Sequence, residues 1–230
     1  MIAAELPAGD DARLVPLGAA ILRFLAEGPR HGDADVCDLT HCAWFVGRGP
    51  RAIWPLPGRA RVFARPGDGE PARPPLDEDL WRRLSAAARE PGPSRWTSHC
   101  GGEPLSPHRL WGGADTRVTR CDRHGQGDRA PWTRRWAAAD LERALGERAL
   151  ALRVGEADGR WQLVADTPQG PLRLSWDEAH ARLASVLGWG ALPSPADRVE
   201  REGVAFRAEG RGLGHRVGLC LGAAAGALLD

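Results

Sequence analysis

The densest group of metal-binding side chains in the sequence lies between residues 31 and 42. His31 is followed by Cys37 and then by Cys42, and His41 directly precedes the second cysteine. Thiolate and imidazole are the donors that zinc prefers, and a tetrahedral site needs four donors, or three and a solvent molecule. The spacing predicts a zinc site with His31, Cys37 and Cys42 as ligands, and His41 beside them. The alternative is two buried cysteines next to an ordinary polar loop.

A second segment joins histidine and cysteine to two glycines. It reads Ser98-His99-Cys100-Gly101-Gly102. Two consecutive glycines allow a positive φ and a close approach of the backbone to a ligand. A Cys–His nucleophile pair is a weak alternative, because neighbours in sequence rarely face each other productively. We therefore predict that these five residues contact a substrate.

A third segment, residues 210–223, is dense in glycine and carries His215 directly after Gly214. It is not a phosphate-binding loop of the Walker type, because that loop needs a lysine and this chain has none. The pattern favours a tight turn on which Gly214 and His215 face a ligand. The alternative is a turn that needs glycine for its conformation alone.

Composition restricts the class of protein. Among 230 residues, 31 basic side chains balance 30 acidic ones, for a net charge of +1, so a general nucleic-acid binder is not expected. Five cysteines are an odd number, which excludes a complete set of intramolecular disulfides. The sequence contains no apolar run of about 18 residues, so a transmembrane helix is not expected. No secretory signal is visible at Met1, so a cytoplasmic location is expected if this is the true start.

The hydrophobic pattern predicts an α+β fold with short strands, a few helices and long Gly/Pro-rich loops. Residues 98–127 have little periodicity and are expected to form irregular structure around a site. The predicted helices span about 15–26, 77–89, 137–145 and 176–187, and the predicted strands about 61–64, 150–154, 161–165, 172–175 and 204–207.

Four segments, in this order along the chain, resemble signature motifs of the stage II sporulation protein D family. Residues 2–7 (IAAELP) resemble V-A-A-E-M-P, and residues 36–42 (VCDLTHC) resemble D-x-C-D-T-T-H-C. Residues 98–102 (SHCGG) are similar to H-S-x-C-G-G, and residues 210–223 to G-x-G-x-G-H-G-V-G-x-S-Q-x-G-A. The resemblance implies one domain of this family over residues 1–230, with a variable insertion at about 49–97.

The resemblance also implies an activity, that of a lytic transglycosylase acting on peptidoglycan glycan strands stripped of their stem peptides. In this chemistry one carboxylic acid protonates the glycosidic oxygen. The C6 hydroxyl of the muramic residue then captures the oxocarbenium-like centre, so no second carboxylate is needed. Glu5 matches the position of the catalytic acid and would need an apolar pocket that raises its pKa. A cell-envelope location follows from the family, and the oligomeric state stays open.

Several positions depart from the family pattern. Only four residues precede Glu5, and Cys220 stands where the last motif has serine. Arg216 and Leu221 replace a glycine and a glutamine of the same motif. These changes leave two alternatives to the enzyme: a glycan-binding or amidase-modulating relative without catalysis, and a cytosolic zinc protein on the same fold. For the enzyme, we expect Glu5, His99 and His215 to converge on one groove.

Overall fold

The computed structural model describes residues 11–27, 78–124 and 129–224, which belong to two compact units. Unit 1 holds the described residues up to Arg95, and unit 2 spans Trp96–Ala223. Mixed helices and small sheets confirm the predicted α+β class. Among the described residues, none of the helices combines the length and apolar character needed to span a lipid bilayer.

The described part of unit 1 contains two helices, α1 (Asp11–Ala26) and α2 (Glu78–Arg89). Helix α1 begins before the predicted start at residue 15, so Pro16 lies inside the helix and not in its first turn. The Arg23 side chain donates hydrogen bonds to the carbonyl oxygen of Ala87, in the last turn of α2, and to that of Glu90, directly after the helix, at 3.1 Å. Carbonyls at a helix end have no partner within the helix, so this arginine stabilises the end of α2.

The described residues of unit 2 form two three-stranded antiparallel sheets and one short parallel pair. The strands are β1 (Trp96–Thr97), β2 (Pro131–Ala137), β3 (Ala151–Ala157), β4 (Arg160–Thr167), β5 (Gly170–Leu174), β6 (Ala196–Glu202), β7 (Ala205–Arg211) and β8 (Leu219–Cys220). The sheet orders are β2-β7-β6 and β3-β4-β5, and β1 pairs with β8. The helices are α3 (Pro107–Trp111), α4 (Ala138–Leu145), α5 (Trp176–Leu187) and α6 (Leu221–Ala224), with a 3-10 turn at Trp189–Ala191.

Tryptophan supplies much of the core of unit 2. Strand β2 buries two residues, Trp132 and Trp136, which lie four positions apart and so on the same face of the strand. Each indole N–H finds an acceptor: Trp132 donates to the Ser194 hydroxyl at 2.7 Å and Trp136 to the Ala191 carbonyl at 3.0 Å. Trp161 of β4 donates in the same way to a backbone carbonyl. The large rings therefore fill the core without leaving a buried donor unpaired.

Most local elements agree with the sequence-based predictions. Helices α2, α4 and α5 lie within one residue of the predicted bounds, and β3, β4 and β5 occupy the three predicted strand positions. Strand β7 extends the strand predicted at 204–207, whereas β2 and β6 were not predicted. The predicted strand at 61–64 and most of the predicted insertion lie outside the described residues.

Candidate metal centre

The parallel pair of β1 and β8 brings two distant segments of unit 2 together. Thr97 lies opposite Cys220 in this pair, and His99 forms an isolated bridge with Leu213. The Cys100 amide donates to the Cys220 sulfur at 3.4 Å, across 120 residues of sequence. Two segments that the sequence analysis singled out, 98–102 and 210–223, therefore meet at one place.

Three cysteines and one histidine turn their donor atoms toward a common point at this place. The ligand atoms of Cys100, Cys121, His124 and Cys220 all lie within 4.8 Å of one another. His124 Nδ1 is 3.6 Å from the Cys100 sulfur and 3.4 Å from each of the other two sulfurs. A tetrahedral zinc ion with ordinary bond lengths places nitrogen and sulfur donors about 3.5 Å apart. These four residues, the donor group, fit one tetrahedrally coordinated metal ion.

Local backbone features position the donors. Cys121 and His124 share one tight turn, in which the His124 amide donates to the Cys121 sulfur. Cys100 is followed by Gly101 and Gly102, with φ of 69° and 74°. A Cβ atom at Gly102 would lie 2.6 Å from the His124 carbonyl oxygen, so the two turns approach each other as closely as glycine allows.

Hydrogen bonds set the protonation of the thiols. The Cys100 thiol and the amides of Cys100 and Ala223 donate to the Cys220 sulfur, and together they lower the pKa of Cys220 to about 4 against the opposing effect of burial. The hydrogen bond to Cys220 and burial raise the pKa of Cys100, and burial raises that of Cys121. A bound cation would displace the thiol protons, because zinc binds the thiolate form.

A second histidine supports the metal-facing one. The rings of His99 and His124 stack with centroids 3.9 Å apart and planes at 18°. His99 Nδ1 accepts a hydrogen bond from the Gly101 amide at 3.0 Å, which fixes its ring. A Cβ atom at Gly222 would lie 3.0 Å from His124 and 3.2 Å from His99, so a glycine leaves room for the stacked pair.

The buried side chain of Arg216 stabilises the Cys100 turn through hydrogen bonds to its backbone. It is 2% exposed, and its φ of 62° is unusual for a residue with a side chain. Its guanidinium donates to the carbonyl oxygens of Cys100 at 3.2 Å and Glu103 at 3.1 Å, and contacts the Asp197 carboxylate at 3.3 Å. Burial lowers the pKa of Arg216, and the Asp197 charge opposes this effect.

The predicted substrate-contact residues lie around the donor group. Ser98 is exposed and His99 is half-buried, whereas Cys100 is fully buried with its sulfur among the donors. Gly214 packs so closely that a Cβ atom there would lie 2.9 Å from the Thr97 hydroxyl. The half-buried ring of His215 lies 5.1 Å from the Trp111 ring, edge to face.

The other predicted site residues lie outside the described residues. These are Glu5, the candidate acid, and the candidate zinc ligands His31, Cys37 and Cys42. His99 and His215 do occupy neighbouring turns, because His99 pairs with Leu213, two residues before His215. Whether Glu5 joins them stays a prediction.

Cys121 and His124 were not predicted to be ligands from the sequence. Their Cys-x-x-His spacing is a signal that could have marked them, because short spacings of this kind recur in zinc sites. The stretch 98–127 was predicted to form a site, and both residues lie in it.

No model of a known protein family and no curated protein matches the sequence. The function must therefore be inferred from the motifs of the chain and from the geometry of its donor group.

Proposed function

We propose that this chain is a zinc-stabilised protein that acts on peptidoglycan glycan strands as a lytic transglycosylase. The observation that carries the proposal is the meeting of segments 98–102 and 210–223 beside a closed group of metal donors. These segments resemble two motifs of the stage II sporulation protein D family, and one substrate site would require them to be adjacent. His99 and His215 on their glycine-rich turns are the side chains we assign to substrate contact.

Zinc is the metal that the donor group would hold. Three thiolates and one imidazole are soft or borderline donors that suit zinc, and four protein donors complete its tetrahedral shell. Such a closed site leaves no position for substrate, so the ion would stabilise the fold and not take part in catalysis. In this chain it would hold together the Cys100 turn, the Cys121 turn and strand β8.

Glu5 is the acid we assign to the chemistry, on the resemblance of residues 2–7 to the family motif. Its carboxyl proton would pass to the glycosidic oxygen, and the muramic C6 hydroxyl would close the 1,6-anhydro ring. The protein should therefore convert denuded glycan strands into products with anhydro-muramic ends, which mass spectrometry detects.

The Glu5→Gln variant tests this assignment. Glutamine keeps the shape of the side chain but offers no proton of suitable pKa, so cleavage should fall by about 10²–10⁴-fold while binding persists. Glu142→Gln, an exposed carboxylate on α4, is the matched control and should cleave normally. Glycan cleavage that is equal in both variants would contradict the assignment of Glu5.

A glycan-binding protein without catalysis is the second candidate, and one observation favours it. Arg216 and Leu221 replace a glycine and a glutamine of the family motif, and both are buried, with exposures of 2% and 4%. They therefore add no polar group to the surface beside His215. Sedimentation of the protein with denuded strands, without anhydro-muramic products, would support this candidate over the enzyme.

A further inference from the structure

We propose that Cys121 is an oxidation site through which a hydroperoxide releases the metal ion from the donor group. This inference rests on the zinc site proposed above and adds a means of regulating it. The oxidant is any small hydroperoxide, and hydrogen peroxide is the probe. The inference concerns the stability of unit 2 and is independent of the activity toward glycan.

The three cysteine residues of the donor group differ in their exposure to solvent. Cys100 and Cys220 are buried, with exposures of 0% and 5%, whereas Cys121 is partly exposed. Cys121 lies on a turn whose neighbours Asp122 and Arg123 are exposed. Oxidation of cysteine follows thiolate character and access. A zinc-bound sulfur is already a thiolate, so access decides which of the three reacts first.

The first step forms an S–O bond at Cys121. The thiolate sulfur attacks one oxygen of the peroxide, the O–O bond breaks, and hydroxide leaves and is neutralised by a buffer proton. Cys121 becomes a sulfenic acid, which is a much poorer metal ligand than a thiolate. Two electrons have passed from sulfur to the peroxide, and no further reductant or oxidant is required.

The second step needs a neighbouring thiolate, and the structure supplies two. All donor atoms lie within 4.8 Å of one another, so Cys100 or Cys220 can attack the sulfenic sulfur after a small shift. An S–S bond forms and hydroxide leaves, which is the ordinary fate of a sulfenic acid beside a thiol. One thiolate and His124 then remain as donors. Two donors are too few for a structural zinc site, so the ion departs.

The test uses the full zinc-loaded chain with a few equivalents of hydrogen peroxide. A metal-sensitive dye measures released zinc, and a dimedone-type reagent followed by peptide mass spectrometry locates the sulfenic acid. We expect zinc release together with sulfenic acid or disulfide at Cys121, reversed by dithiothreitol and added zinc. Peptide mapping separates these products from oxidation of Cys37 and Cys42. A Cys37→Ser/Cys42→Ser double variant keeps the donor group, so it should still release the ion of that group and carry the same modification at Cys121.

Cys121→His provides the matched variant, because imidazole can replace thiolate as a zinc donor without being oxidised in this way. It should retain zinc, and under peroxide it should release zinc at least about tenfold more slowly than the natural chain, since the accessible thiolate is gone. If this variant does not hold zinc, the inference is tested by which cysteine of the natural chain carries the dimedone-type label. Zinc that stays bound under excess peroxide, or a label on Cys100 or Cys220 alone, would overturn the inference. A chain that holds no zinc before peroxide is added would instead contradict the zinc site itself.

Discussion

At the scale of single residues, Arg216 has the most unusual environment of those around the donor group. Its buried guanidinium satisfies two carbonyl oxygens of the Cys100–Glu103 turn and contacts Asp197. Removal of one partner from a buried charged pair leaves the other groups unsatisfied, which is a large cost. The side chain of Asp197 is 34% exposed and also contacts Arg211, and this reduces the cost.

We predict that Arg216→Ala lowers the free energy of unfolding by about 2–3 kcal/mol and weakens zinc binding. Arg216→Gly should be about 1 kcal/mol less destabilising than the alanine variant, because glycine adopts a positive φ without strain. Urea titration of both variants, with and without zinc, measures the difference. Arg198→Gln, a change at an exposed arginine, serves as control and should alter stability by less than about 0.5 kcal/mol. Equal stability of the natural chain and Arg216→Ala would show that the Arg216 side chain does not stabilise the Cys100 turn.

His180 gives unit 2 a second residue-scale prediction, a dependence of stability on pH. The ring lies between Trp176, at 5.2 Å, and Trp189, at 5.3 Å. Burial lowers its pKa below the ordinary 6.5, although the Asp177 charge opposes this. As pH falls below about 6.5, the unfolded chain binds a proton before the folded chain does, so stability decreases. The free energy of unfolding should fall less between pH 7.5 and pH 5.5 for His180→Gln than for the natural chain, as denaturant titration at both pH values measures.

The residues of the site show what a single sequence can and cannot disclose. The glycines after Cys100 and around His215 predicted close backbone approach, and the turns do approach closely at Gly102 and Gly214. Cys100 and Cys220 could not be recognised as partners, because a pair of two-residue strands far apart in sequence brings them together. Short strands of this kind leave almost no periodic pattern, and their pairing depends on tertiary contacts.

At the scale of secondary-structure elements, local signals decided which predictions succeeded. Strands β3, β4 and β5 each carry large apolar residues two positions apart and are joined by turns such as Asp158-Gly159, so they were predictable. Strand β6 buries only Ala196 and Val199 strongly and exposes a run of charged side chains. Its strand conformation comes from antiparallel pairing with β7, a tertiary effect that overrides weak local preference.

Helix α5 offers a prediction about its first turn. Ser175 and Glu178 form a capping box, in which the serine hydroxyl accepts from the Glu178 amide and the glutamate accepts from the Ser175 amide at 2.9 Å. Ser175→Ala should reduce the free energy of unfolding by about 1 kcal/mol. Ser185→Ala, in the exposed last turn of the same helix, should cost less than about 0.5 kcal/mol. Thermal unfolding of the two variants compares them directly, and equal midpoints would show that the cap contributes nothing.

At the scale of the whole molecule, the donor group and the predicted site at residues 31–42 are separate candidates for zinc. We expect two zinc ions per chain by elemental analysis of protein purified without chelator. Cys100→Ser/Cys220→Ser should lose one ion, and Cys37→Ser/Cys42→Ser the other. Zinc content that is unchanged in the first pair would contradict the donor group, and content unchanged in the second would contradict the 31–42 site.

Metal removal should affect stability as well as composition. The ligands in unit 2 span residues 100 to 220, so the ion constrains a long stretch of chain, and its binding energy is also folding energy. A strong chelator should therefore lower the unfolding temperature of the natural chain, and added zinc should restore it. The Cys100→Ser/Cys220→Ser variant should show no such response beyond any due to residues 31–42. Calorimetry in both states checks this, and an unchanged midpoint would exclude a stabilising ion.

The pairing of β1 with β8 has a consequence for how this fold can be inherited. Trp96 and Thr97 lie beside Leu219 and Cys220, and neighbouring strands are about 5 Å apart, so the first and last strands of unit 2 are adjacent. Regions with adjacent ends can be inserted into a loop of another protein, since the host backbone closes again without distortion. All four donors lie between those ends. One inserted segment, residues 96–223, would therefore carry all four candidate metal donors together.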